Sequence, residues 1–130
     1  MVEGDAMIEW YLLLPLMVLC HIVEDFHLQG KMGDMKQISF WEPYGERYAK
    51  DWMPVIILHG MEWAMLTSMP CLVASWFDVP LWFILVIVTM GLLHAYIDHL
   101  KANVGNINLI ADQTLHMCQI MIIYLAYLGV

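Results

Sequence analysis

Long apolar runs dominate the chain, with polar residues confined to one early stretch and to a few recurring positions within the runs. A membrane-spanning helix needs about 20 mainly apolar residues. Four segments meet that length, at about 8–28, 52–76, 80–101 and 107–128. The connections at 77–79 and 102–106 are short, which forces antiparallel neighbours. The pattern therefore predicts an all-α integral membrane four-helix up-and-down bundle, a single domain over 1–130. Residues 30–51 are the one long polar connection, broken by Gly30, Gly33, Pro43 and Gly45. Within it Phe40, Tyr44, Tyr48 and Trp52 recur every four residues, which predicts a short interfacial helix between helices 1 and 2 with one aromatic stripe. Pro15 and Pro70 predict kinks, and Pro80 suits a first helical turn.

Composition narrows the class. The chain is 62% hydrophobic and 14% charged, against about 45–50% and about 25% in soluble domains. Disorder is excluded by the apolar content. The net charge of −8 leaves 5 bases, too few for a nucleic-acid face. Cys20, Cys71 and Cys118 are far apart and odd in number, which argues against a disulfide scaffold. Glu3, Asp5 and Glu9 make the N-terminus acidic, so the first run does not read as a signal peptide. Lys31, Lys36, Arg47 and Lys50 lie in the first connection and Lys101 at the third. The positive-inside rule then places both connections in the cytoplasm and both termini outside.

Ionisable residues within spans are costly and mark function by default. His21 and Asp25, His94 and Asp98, and Asp112 and His116 are each four apart, so each pair shares a helix face. His59 adds a fourth imidazole. In an alternating bundle all seven fall at one depth, within about two turns of the cytoplasmic surface at 1.5 Å rise per residue. Four imidazoles and three carboxylates suit one or two divalent ions, with zinc favoured and manganese or iron also compatible. Glu24 sits about 60° off the His21/Asp25 face on an α-helix. His27, His99 and Glu62 read as surface or packing residues, and Trp63 and the 12 Met as lipid-facing or core filler. A metal-free proton or ion path would use the same cluster.

The run from His21 through Asp25-Phe26 to Gln29, then His59-Gly60, then His94 through Asp98 to Lys101, then Asp112-Gln113 and His116 form four motifs in order. Together they resemble domain-of-unknown-function family 3307, small multi-pass membrane proteins of bacteria and phages. The resemblance covers roughly 13–128 and implies a bacterial inner-membrane location. It implies the site and no particular chemistry. In size and His/Asp use the chain is also similar to membrane-bound metal-dependent hydrolases.

The leading expectation is a metal-dependent membrane hydrolase with a phosphoester or lipid-linked substrate at the cytoplasmic face. Lys101 would bind a substrate phosphate as a point charge. Gln29 and Gln113 would orient water, ligands or substrate. The partners implied are the lipid bilayer and a lipid phosphate, with no nucleic acid, and with oligomerisation open. Two alternatives remain: a divalent-cation or proton transporter, and a non-catalytic phage or bacterial membrane protein with a structural metal site.

Overall fold

The computed structural model describes residues 9–129 and is helical throughout, with no strand among the described residues. Helix α1 spans Trp10–Val23 and runs on into a π-helical turn at Glu24–Leu28. Two single-turn helices follow, α2 at Met32–Met35 and α3 at Ile38–Trp41. The long helices α4, α5 and α6 span Trp52–Ala74, Leu81–His99 and Leu109–Leu128. A second π-helical turn, Leu100–Val104, extends α5. Four helical segments are long and apolar enough to cross a membrane: Trp10–Leu28, Glu46–Ala74, Leu81–Val104 and Leu109–Leu128. The predicted start of the first span and the acids Glu3 and Asp5 lie outside the described residues.

Local chemistry sets the boundaries. Asn108 caps α6, its Oδ1 accepting from Ala111 N at 2.9 Å. Gly105 and Gly129 end their elements with φ of 72° and 77°, a left-handed conformation cheap only for glycine. The end of α4 differs. Phe77 N donates to Leu72 O at 2.7 Å and Trp76 N to Val73 O at 3.0 Å, the Schellman pattern. Trp76 takes the left-handed position at φ 55°, and Phe77 follows it at φ 62°.

The four long helices form a ring: α1 packs on α4 and α6, and α5 packs on the same two. One face of each turns inward to a core that includes Leu13, Met17, Trp63, Leu72, Phe83 and Ile123. Large apolar residues such as Leu12, Leu58, Leu85 and Ile122 point outward, a surface suited to lipid contact. The α4–α5 contact is the tightest. A Cβ on Gly60 would collide with Gly91 O, and one on Gly91 would meet Met61 Sδ at 2.8 Å and Gly60 O at 3.0 Å. Small residues let two backbones approach in this way.

The 30–51 connection departs from the predicted single helix. After α3 come two separate 3-10 turns, Glu42–Tyr44 and Glu46–Tyr48. Pro43 lacks a donor and Gly45 takes φ 87°, which together break a continuous helix. The aromatic residues still touch: Phe40 and Tyr44 centroids lie 5.8 Å apart, and Tyr44 and Tyr48 6.4 Å apart.

Candidate metal centre

Asn103 holds the polar connection against the end of the bundle. Its Oδ1 accepts from Ile38 N at 2.8 Å and its Nδ2 donates to Lys36 O at 3.1 Å. This clamp delivers Lys36 to the bundle mouth. The Lys36 ammonium there pairs with Asp98 Oδ2 while only 8% exposed.

Six of the seven predicted ligands converge. His59 Nε2 lies 3.4 Å from His94 Nε2 and 3.2 Å from Asp98 Oδ2, and His94 Nε2 lies 3.9 Å from the same oxygen. Zinc bound at about 2.0–2.2 Å by four ligands spaces them about 3.3–3.6 Å apart. The 3.2 and 3.4 Å separations are close to that spacing, and the 3.9 Å one would have to close by a few tenths of an ångström around an ion. Asp25 Oδ1 sits 3.9 Å from His59 Nε2 and 3.8 Å from His94 Nε2, and it is buried without a hydrogen-bond donor. On the other side, Asp98 Oδ1 lies 3.5 Å from His116 Nε2, which is 3.3 Å from Asp112 Oδ1. Two groups therefore have the proximity to hold a metal ion: Glu24, Asp25, His59 and His94, and His94, Asp98 and His116.

The His116 imidazole is hydrogen-bonded from outside, whereas His94 Nδ1 is buried without a partner. Gln119 Nε2 donates to Met90 O at 2.9 Å, so its Oε1 is the acceptor facing His116 Nδ1 at 3.1 Å. That places the His116 proton on Nδ1 and leaves the Nε2 lone pair toward the cluster. Glu24 Oε1 stands 3.0 Å from His59 Nδ1, close enough to pair with that ring but without the alignment of a hydrogen bond. Both Glu24 and His59 are fully buried. Trp63 stacks on His94 at a centroid distance of 4.2 Å, and His94 on His116 at 4.1 Å.

His21 is placed differently from its predicted role. Its Nδ1 is 2.8 Å from Trp63 Nε1 and its Nε2 is 3.1 Å from Gln113 Oε1. Both ring nitrogens are committed to protein partners, which leaves no lone pair for an ion. Its distance to Asp25 Oδ2 is 3.7 Å, too long for a hydrogen bond. Gln113 is equally committed, its Nε2 donating to Asp25 Oδ2 at 3.3 Å and Asp112 Oδ2 at 3.1 Å. It orients carboxylates rather than water.

Lys101 Nζ donates to Asp112 Oδ2 at 2.7 Å, with its side chain 37% exposed. Gln29 reaches inward, its Nε2 3.2 Å from His59 Nε2. Gly33 makes room for it, since a Cβ there would overlap Gln29 Oε1. Lys36, Lys101, Gln29, Gln113, Asp25 and Asp98 share a cavity of about 400 Å³ at the mouth. His27 and Glu62 are exposed and His99 stacks on Trp52 at 4.8 Å, the surface and packing roles expected of them.

The sequence reading missed four contributors. Glu24, about 60° from the His21/Asp25 face, still turns inward: it is fully buried with Oε1 3.0 Å from His59 Nδ1, and the π-helical turn begins at it. Trp63 is fully buried within the cluster and not lipid-facing; it follows His59 by four residues, so periodicity alone could have found it. Lys36 and Asn103 carry no periodic signal. No family model, curated protein or solved structure matches the chain.

Proposed function

We propose that this protein is a metal-dependent membrane hydrolase acting on a phosphoester or lipid-linked substrate at the cytoplasmic face, and that its motif resemblance to family 3307 reflects a shared site. The observation that carries the reading is the buried cluster itself, with imidazole and carboxylate atoms at metal-ligand spacing beneath an open polar cavity. His59, His94, Asp98 and Asp25 would hold the ion, with His116 and Asp112 as the neighbouring set. Zinc fits the donors best, and a bound divalent ion would acidify a coordinated water and polarise the scissile group.

The chain's own residues supply the rest. Lys101 is half-exposed at the cavity and reaches a phosphoryl oxygen by exchanging its contact with Asp112. Gln29 directs its amide into the cavity beside His59. The apolar helix faces keep the substrate's lipid portion in the bilayer while its polar group enters the mouth.

The deciding experiment is elemental analysis of detergent-purified protein, wild type against Asp98→Ala/Asp112→Ala, followed by turnover of a lipid phosphoester. Bound metal in the wild type, lost in the variant together with turnover, supports the enzyme. Metal-free wild type sinks it.

One observation favours a second reading, transport of a divalent cation or protons. Thr67 and Ser68 are fully buried, make no hydrogen bond through their hydroxyls, and lie two turns deeper in α4 than His59. Below them the apolar core closes the bundle. Flux in proteoliposomes abolished by Asp98→Asn would decide for transport.

A further inference from the structure

Hydrogen bonds in series cross from α4 through α1 to α6, and their proton sense is fixed at one end. An indole N–H can only donate. Trp63 Nε1 therefore gives its proton to His21 Nδ1, at 2.8 Å. His21 must then carry its own proton on Nε2, which faces Gln113 Oε1 at 3.1 Å. With Oε1 as acceptor, the Gln113 amide has one orientation. Its Nε2 hydrogens go to Asp25 Oδ2 at 3.3 Å and Asp112 Oδ2 at 3.1 Å. The second oxygen of each carboxylate, Asp25 Oδ1 and Asp112 Oδ1, is buried and has no donor. Those two oxygens face the imidazoles, at 3.8 Å from His94 Nε2 and 3.3 Å from His116 Nε2.

We propose that Trp63 is a positioning residue: through His21 and Gln113 it fixes which oxygen of Asp25 stays free for a cation, while at Asp112 the relay acts beside Lys101, which holds the same Oδ2 at 2.7 Å. The opposite amide orientation would turn Gln113 Oε1 onto two carboxylates. It would also require the other His21 tautomer, whose Nδ1–H would oppose the indole N–H. One proton donor in α4 thus sets acceptors in α1 and α6. The inference rests on the metal reading for the identity of the cation, whereas the relay is a property of the chain.

The test uses the full chain in nanodiscs with 15N-labelled histidine, comparing wild type, Trp63→Phe, Gln113→Leu and the double variant. Phenylalanine keeps a ring against His94 and removes only the donor. The His21 signal, assigned by its loss in His21→Gln, is expected as the Nε2–H tautomer in wild type and as a mixture in Trp63→Phe. Zn2+ affinity by equilibrium dialysis should fall about 10–100-fold in either single variant, the usual effect of removing a ligand's outer partner. The double variant should lose no more than the worse single one, because both cut the same chain. Gln113→Leu alters a cavity-lining position and serves as the probe if Trp63→Phe does not fold. An unchanged His21 tautomer, an affinity within twofold of wild type, or additive losses overturn the proposal. Wild type that takes up no Zn2+ overturns the metal reading instead, and the tautomer alone then decides the relay.

Discussion

Lys36 and Asp98 are 62 residues apart in sequence and form one buried ion pair, which ties the polar connection to the third span. Removing one partner of such a pair leaves a buried charge uncompensated, at a cost of about 3–5 kcal/mol. Lys36→Met should therefore lower the thermal stability of the metal-free protein by that order. Lys36→Arg should retain most of it. Thermal melts in detergent, with and without chelator, check both.

The clamp that delivers Lys36 predicts a local effect. Asn103→Ala removes the acceptor for Ile38 N and the donor to Lys36 O. Amide hydrogen exchange at Ile38 should accelerate at least tenfold, as expected for loss of about 1.4 kcal/mol or more of local protection. Exchange in the middle of α4 and α5 should not change. Equal acceleration everywhere would mean a global loss of stability and not an unclamped segment.

Gly60 and Gly91 predict a coupling between packing and the site. His59 precedes Gly60, and His94 lies one turn beyond Gly91. Gly60→Ala must push α4 from α5, since the added Cβ meets Gly91 O and Ala95. Overpacking typically costs about 1–3 kcal/mol. Widening the 3.4 Å separation of His59 and His94 Nε2 should also reduce metal uptake in the same elemental analysis.

Much of this was legible in the sequence. The four spans, their order and the convergence of Asp25, His59, His94, Asp98, Asp112 and His116 follow from hydropathy and the four-residue spacing. What escaped it did so for physical reasons. The inward face of the first helix is wider than its His21/Asp25 line, so Glu24, about 60° away, is buried beside His59. His21 has ligand spacing to Asp25, yet a tryptophan on another helix claims its lone pair, a tertiary fact. Lys36 reaches the cluster from a separate polar segment, held there in part by the Asn103 amide on its carbonyl, a tertiary contact with no sequence spacing. The aromatic stripe is real as contact from Phe40 to Tyr48, but Trp52 leaves it to stack on His99, and Pro43 and Gly45 outweigh periodicity and break the single helix.

Trp76 predicts a gain. It occupies the left-handed position that glycine fills most cheaply, a conformation costing an ordinary residue roughly 1–2 kcal/mol. Trp76→Gly should leave the fold intact and raise the melting temperature. A fall would show that the exposed indole contributes more through its surroundings than its backbone costs.

Charge within the cluster predicts a stoichiometry. Asp98 and Asp112 each have a lysine, Lys36 and Lys101. Glu24 and Asp25 have none and face His59 and His94. One divalent ion per chain balances them. Asp25→Asn should lower metal content well below one, whereas Asp112→Asn should leave it near one.

On the metal reading, the same imbalance would make the site a selector by valence. With the imidazoles neutral, sodium or potassium would leave one of the two buried charges exposed to a low-dielectric interior, however well its radius fitted. A trivalent ion would overshoot by as much. Abundant monovalent ions would thus be rejected by electroneutrality before size or coordination geometry is consulted, which would leave geometry only the choice among divalent metals.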